Sequence, residues 1–348
     1  MNINKAKDTV ILAGKELVKR GLIARTWGNV SQRVDENTMV ITPSGKEYLS
    51  LKREDIVAVN INTLEYEGKI KPSSEKGVHA ACYKDKYVNF VIHTHQEYAS
   101  IISSCGLEYI DVDKKYNYLA GKIVCAPYGL PSTKKLTEGI AGVLPSVEGS
   151  CIIMKNHGAL CFGEDFEQTF EAANQLEEAC KEHIKNKYVD IEDKEYIGDH
   201  SLGDFILSKY QFLPKPLLGE QVHMKLDDNM LVASSSEAIA LSYIGEPLHP
   251  MVDDFAQIVG TKMKTVENDE AAIRNALKKA DAVFVKGCGA VCRGDNADDA
   301  KAVKMIVEKN CKCFIGAKLY GRAKPISPLE SRLMRTVYKM KYSKQKDK

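Results

Sequence analysis

Two histidines one residue apart, in His93-Thr94-His95, end a hydrophobic run that begins at Val88. Side chains alternate faces along a strand, so both imidazoles project one way and Thr94 the other. Such a pair can hold one metal ion, although two histidines at a strand end are, alone, as often simply solvated. A third histidine, His157, follows a second apolar run, Cys151 to Met154, and precedes Gly158. Three neutral imidazoles at two strand ends suit a tetrahedral zinc-like ion with its fourth position open, the pattern of catalytic sites.

Glu75 follows Pro72-Ser73-Ser74 and stands at a loop-to-helix junction, where Ser73 or Ser74 could cap a helix over 77–87. The ordinary reading of an acid there is a partner for the helix dipole. Beside a metal it would be a general base, with serine hydroxyls and helix-end N–H groups holding an anion. Gly28-Asn29 and Ser44-Gly45 add donors in small-residue loops, each an ordinary turn by itself.

These residues must be positioned by regular elements. Val10, Ala13, Leu17 and Val18 recur at helical spacing, which predicts an opening amphipathic helix ended by Gly21. Strand-like segments follow at 29–34, 38–42, 56–60 and 88–94, with the helix over 77–87 between the last two. A helix then runs through Ser103, another spans 136–144, a buried strand spans 150–155, and a long helix spans 163–186. In that last helix Phe166, Phe170, Ala173, Leu176, Cys180 and Ile184 are spaced for burial. Intermixed helices and strands predict layers of α/β type, with parallel and mixed sheets both open.

The chain has 348 residues, room for two domains. A boundary is expected at Pro214-Lys215-Pro216. Beyond it, Lys155-Asn156-His157-Gly158-Ala159-Leu160-Cys161 reappears as Lys286-Gly287-Cys288-Gly289-Ala290-Val291-Cys292. Gly163 then falls on Gly294 and Glu177 on Glu308 without a gap, and aligning Gly106 with Gly245 sets Ser103 against Ser242. The second part therefore reads as a partial, diverged copy of the first, agreement at two places and in order weighing against chance. It lacks the site, because His93, His95 and His157 fall on Val232, Ser234 and Cys288. Cys311-Lys312-Cys313 reads as a strand with one buried face, and Asp253 to Gln257 as an internal turn.

A formal net charge of +2 argues against a nucleic-acid binder, which needs a concentrated basic face. The basic run Lys339 to Lys348 reads as a solvated tail. Most of the ten cysteines lie in apolar runs, where free cysteine acts as a small buried hydrophobe. With no signal-peptide pattern and no membrane-length apolar stretch, a reducing, cytoplasmic compartment and no membrane partner are expected.

Gly28-Asn29-Val30-Ser31, Thr42-Pro43-Ser44-Gly45, Pro72-Ser73-Ser74-Glu75, His93-Thr94-His95 and Asn156-His157-Gly158 occur in this order. This succession resembles the class II aldolase/adducin family, whose type member cleaves L-fuculose 1-phosphate, over roughly residues 1 to 210. The resemblance implies a three-layer α/β/α domain over 1–215 with a central sheet. A smaller diverged repeat over 216–335 and a basic tail over 336–348 complete the expected organisation. His93, His95 and His157 would bind zinc, or another divalent ion such as cobalt or manganese. Glu75 would be the acid/base, in contact with the metal when substrate is absent, and Asn29, Ser44, Gly45, Ser73 and Ser74 would cradle a substrate phosphate. Breaking a carbon–carbon bond beside a ketone leaves an enediolate, whose charge a chelating metal stabilises.

The family also uses a tyrosine ahead of the stretch matched by Cys125-Ala126-Pro127-Tyr128. Asp113 stands at that position, with Tyr116 and Tyr118 nearby, and Tyr118 is taken as the catalytic candidate. A second family tyrosine comes from a neighbouring subunit's tail, for which Tyr210 is the candidate, and interface-built sites imply a homo-oligomer. Family epimerases carry an aspartate around Asn117. The leading expectation is therefore retro-aldol cleavage of a small phosphorylated ketose. Dehydration, decarboxylation or epimerisation of a sugar phosphate is the same-fold alternative, and a non-catalytic assembly module like the adducin head is the alternative of another class.

Overall fold

The structure is a computed structural model that describes residues 1–23, 27–191, 219–321 and 324–346. Tyr210 and the expected boundary at Pro214–Pro216 lie outside the described residues. The chain divides into two compact units, Met1–Ser103 with Leu107–Lys185, and Ser104–Gly106 with Asn186–Lys348.

The first unit opens with α1 (Ile3–Lys19), which buries Ala6, Val10, Ala13 and Leu17. Gly21 ends it at φ 67°, donating to the Val18 carbonyl while Leu22 donates to that of Leu17. These two bonds satisfy last-turn carbonyls, and the left-handed residue that makes them suits glycine. An eight-stranded sheet follows, ordered β3-β2-β1-β4-β8-β7-β6-β5. Its strands are β1 (Asn29–Arg33), β2 (Thr38–Ile41), β3 (Val57–Asn60), β4 (Phe90–Thr94), β5 (Tyr109–Asp111), β6 (Lys122–Ala126), β7 (Cys151–Met154) and β8 (Gly158–Gly163). All pairs are antiparallel except β6 with β7, so the sheet is mixed.

Alternation along the strands makes two apolar faces. Met39, Ile41, Val57, Val91, Leu160, Phe162 and Ile152 form one core with Val78, Cys82 and Tyr83 of α2 (Lys76–Asp85) and Leu136 and Ile140 of α4 (Lys134–Val143). On the opposite face Phe90 meets Phe166 of α5 (Phe166–Ile191), and Cys151 Sγ donates to the Ala172 carbonyl. α3 (Glu97–Ser104) follows β4 directly. This is the expected mixed α/β architecture around a central sheet. Burying both faces of β4 is what lets its end carry polar groups away from bulk water.

The second unit holds a four-stranded sheet ordered β10-β11-β12-β9, from β9 (Met230–Ala233), β10 (Thr265–Val266), β11 (Ala282–Val285) and β12 (Gly289–Arg293). Its helices are α6 (Ser236–Ile244), α7 (Asp253–Ile258), α8 (Glu270–Leu277), α9 (Ala297–Tyr320) and α10 (Pro328–Lys346). The registers parallel those of the first unit. Cys151 faces Cys161 as Ala282 faces Cys292, 131 residues on, and His93 faces Leu160 as Val232 faces Val291. β10 pairs in parallel with β11, as β6 does with β7.

Two sequence readings are corrected here. Cys311 and Cys313 lie inside α9, not on a strand, and both are buried because that helix is enclosed on several sides. Residues 253–257 lie in the short helix α7, and Asp253 and Asp254 are buried. The basic run from Lys339 lies within α10 as far as Lys346. All ten cysteines are buried and free. Among the described residues no helix is long and apolar enough to cross a membrane.

Candidate metal centre

β4 ends in His93 and Thr94, and His95 follows, its N–H donating to the Leu22 carbonyl. His157 sits in the turn between β7 and β8, where its N–H donates to the Met154 carbonyl and Asn156 takes φ 55°. Because β4 and β8 are neighbours, these two chain ends meet. Nε2 of His93 lies 2.9 Å from Nε2 of His95 and 3.0 Å from Nε2 of His157. Bonds of about 2.0–2.1 Å in a tetrahedral site place ligand nitrogens roughly 3.3 Å apart, so the three nitrogens converge as a divalent ion requires. His93 Nδ1 donates to the Ala159 carbonyl at 2.9 Å, which leaves its Nε2 lone pair facing inward. Burial holds the His93 imidazole pKa well below its ordinary value, against the opposing pull of the Glu75 carboxylate. Among the described residues this trio is the one group of three or more potential ligands so gathered.

Two glycines make the approach possible. A Cβ on Gly28 would meet the His93 carbonyl oxygen and Ile23 Cγ2, each at 2.6 Å, and Gly28 has φ 97°. One on Gly158 would meet the Thr94 carbonyl oxygen at 2.3 Å.

Glu75 is the N-cap of α2, so the capping position falls to the acid and not to Ser73 or Ser74. Its Oε1 lies 3.3 Å from His157 Nε2 and its Oε2 3.5 Å from His93 Nε2. Burial favours its neutral form, yet the facing histidines and the Asn29 carboxamide, which donates to Oε2 at 2.9 Å, hold the carboxyl well below its usual range. Asn29 pairs directly across the sheet with His93.

The other anticipated loops are laced to this point. Pro43 bridges Pro72, Ser44 N–H donates to the Lys71 carbonyl, and Ser73 N–H to that of Thr42. Thr42 in turn exchanges bonds with Val30, next to Asn29. Ser44, Gly45, Ser73 and Ser74 are thereby tied into the loops around Asn29 and Glu75, with Ser44, Gly45 and Ser74 exposed and Ser73 buried. Ser73 Oγ accepts from Glu75 N–H at 3.2 Å.

Tyr118 is not brought to the histidines. Its carbonyl accepts from Ser150 N–H, at the end of β7 remote from His157, so four strand residues, roughly 13 Å, intervene. Gln175 of α5 bonds both Tyr118 N–H and the Asn117 side chain, and Tyr116 bonds Glu182.

The structure adds three residues that the motifs did not single out as functional. Ser132 donates to Ser74 Oγ at 2.7 Å, just before the Thr133 cap of α4. His79 lies one helical turn after Glu75 on α2 and is fully buried. Glu177 accepts from the N–H groups of Tyr98 and Ala99 at the start of α3. The Glu75/His79 spacing of four was the readable signal for His79, since it puts both on one helix face.

An α/β/α unit whose sheet gathers three buried histidines against a carboxylate carries the donor set of a metalloenzyme. Comparison with known proteins narrows this. The profile of the Class II Aldolase and Adducin N-terminal domain matches residues 8–184 and 231–315, and the chain belongs to that family. It is 30% identical over 191 residues to a 5-deoxy-D-ribulose 1-phosphate aldolase of Bacillus thuringiensis serovar kurstaki, covering 54% of this chain and 89% of that one. It is also 30% identical over 193 residues to an L-ribulose-5-phosphate 4-epimerase of Salmonella paratyphi B, covering 51% and 84%. The fold superposes on an L-fuculose 1-phosphate aldolase with a TM-score of 0.50 and 26% identity, over 60% of this chain and 97% of the other. The chain is thus an enzyme of a superfamily that includes aldolases and an epimerase.

Proposed function

We propose that the protein is a metal-dependent lyase that cleaves a carbon–carbon bond of a small phosphorylated ketose, releasing a dihydroxyacetone phosphate-like product and an aldehyde. The observation that carries this reading is the Glu75 carboxyl group, 3.3 and 3.5 Å from two of the three clustered imidazoles. A divalent ion held by His93, His95 and His157, with zinc the first candidate, supplies Lewis acidity toward the carbonyl and hydroxyl oxygens beside the breaking bond. Glu75 moves the proton on and off the carbon that loses its neighbour. Asn29, Ser44, Gly45, Ser73 and Ser74 hold the phosphate with amide and hydroxyl donors near the start of α2.

Tyr118, remote from the histidines of its own chain, is proposed to act in a neighbouring copy, which requires a homo-oligomer. The second unit is proposed to be a degenerate copy without ligands, since the register sets Val232 where the first unit has His93. Ten buried free cysteines suit a reducing, cytoplasmic setting.

The test is metal content per chain for wild type and His95→Ala, followed by a panel of ketose phosphates. About one ion in wild type, lost in the variant, together with aldehyde release, is expected. Glu75→Gln should keep the ion and slow turnover by ~10²–10⁴. No ion after reconstitution with zinc, cobalt or manganese sinks the reading. Metal-dependent epimerisation without cleavage replaces it with the activity named for the second relative.

A further inference from the structure

A chain of buried hydrogen bonds runs from the core to Glu75, and its donors can be assigned from end to end. Asn29 Nδ2 donates to Glu75 Oε2 at 2.9 Å, a carboxyl oxygen that accepts. Asn29 Oδ1, itself an acceptor, then faces His79 Nε2, which must carry the hydrogen. Nδ1 of the same ring is left with a lone pair, and Ser31 Oγ donates to it across 2.6 Å. The Tyr83 hydroxyl, 2.7 Å from Ser31 Oγ, donates in turn to that oxygen. Tyr83 is anchored by Arg33, whose Nη2 donates to its carbonyl and whose guanidinium lies 4.9 Å from its ring centre. Ser31 and His79 are wholly buried, and Tyr83 and Asn29 nearly so.

We propose that His79 is a positioning residue: its Nε2–H, with Ser31 donating to Nδ1 behind it, holds the Asn29 carboxamide with its nitrogen toward Glu75. The two ends of a carboxamide have nearly the same shape, and packing alone does not distinguish them. The His79 donor does, because a flipped amide would set Nδ2 against the N–H of His79 and Oδ1 against the carboxylate. Two such mismatches in a buried place are costly, as unpaired polar groups there have no water to turn to. The second N–H of Asn29 is thereby also fixed in direction. The inference rests on the reading of Asn29 and Glu75 as anion-binding and proton-moving groups.

The test is a double-mutant cycle on full-length, metal-loaded protein, with the sugar phosphate that wild type turns over. His79→Leu is expected to lower kcat/KM by about 10- to 100-fold with metal content unchanged. In an Asn29→Ala background the same change should cost less than about threefold, because the group it orients is gone. His79→Gln, whose amide nitrogen reaches the place of Nε2, should recover most of the loss. Equal losses in both backgrounds would mean that His79 acts through packing, and would overturn the proposal. Should His79→Leu fail to fold, Ser31→Ala takes its place in the cycle with the same expectation.

Long-range ¹H–¹⁵N spectra of the His79 ring give a readout that needs no turnover. Hydrogen on Nε2 is expected, and hydrogen on Nδ1 overturns the assignment. Absence of turnover on every sugar phosphate would defeat the functional reading while leaving this arm to decide the tautomer.

Discussion

A methyl group on Gly158 would sit 2.3 Å from the carbonyl oxygen of Thr94 and 3.3 Å from Cε1 of His93. The first contact is with backbone, so it is relieved by parting β8 from β4, and that moves the ring of a candidate ligand. The second unit offers a control. A Cβ on Gly289 would meet the Ala233 carbonyl oxygen at 2.2 Å, and Gly289 has φ 99°, but Val232 stands where the first unit has His93. Gly158→Ala and Gly289→Ala should therefore each destabilise their unit by about 1–3 kcal/mol, as overpacking does. Metal affinity should fall in the first variant alone. Thermal melts with competitive metal titration check this, and an equal loss of affinity in both would show that the strand spacing at Gly158 is irrelevant to the site. At this scale the sequence was most legible where chemistry is written in residue type. His93, His95, His157, Glu75 and Asn29 could be picked out because few roles suit them together. Ser132 could not, since a hydroxyl reaching Ser74 across 58 positions leaves no periodic trace.

At the scale of elements, α3 shows how a strand end is held still. It begins two residues after His95, and its first N–H groups have a carboxylate for a partner: Glu177 of α5 accepts from Tyr98 at 2.8 Å and from Ala99 at 3.1 Å. Each such hydrogen bond contributes about 0.5–1.5 kcal/mol net, and their loss leaves helix-end donors buried. Glu177→Ala should lower stability by about that amount and weaken metal binding by about tenfold, the scale seen when outer supports of a ligand are removed. Calorimetry with metal titration tests it, and undiminished affinity would confine Glu177 to a capping role. A like contact occurs in the second unit, where Glu308 accepts from Ser235 N–H before α6. Elements with a long, clean period were readable: α1, α5, β4 and β7. The unread ones lacked a period to read. β5 buries one of its three residues, too little alternation to register. β8 is buried at every position, so it merges with the approach to α5. α9 misled for the opposite reason, because a helix enclosed on several sides buries positions two apart and imitates a strand at Cys311 and Cys313. Tyr118 lies beside the start of β7, at the end away from His157 of its own chain.

For the molecule as a whole, two buried groups of the first unit pull its acid stability in opposite directions. Burial lowers the His79 imidazole from 6.5 to about 4, partly countered by Glu75. Its contribution is complete above pH 6.5 and is lost as pH falls toward 4, because the unfolded chain takes the proton first. Burial raises the Glu177 carboxyl from 4.5 to about 7, against the hydrogen bonds it accepts. Here the contribution is complete below pH 4.5 and is lost as pH rises through 7. Each shift spans about 2.5 pH units, or about 3 kcal/mol, over nearly the same window. In wild type the two therefore offset one another between pH 7 and 4.5. Removing either one exposes the other. Glu177→Gln should lose about 3 kcal/mol more than wild type on acidification across that window. His79→Gln should lose about 3 kcal/mol less. The constant offset from a missing acceptor or donor does not vary with pH, so it drops out of the comparison. Urea unfolding of the metal-free first-unit transition at pH 7, 5.5 and 4.5 measures this. Variant and wild-type curves that stay parallel across those values would mean that neither group titrates where its burial places it.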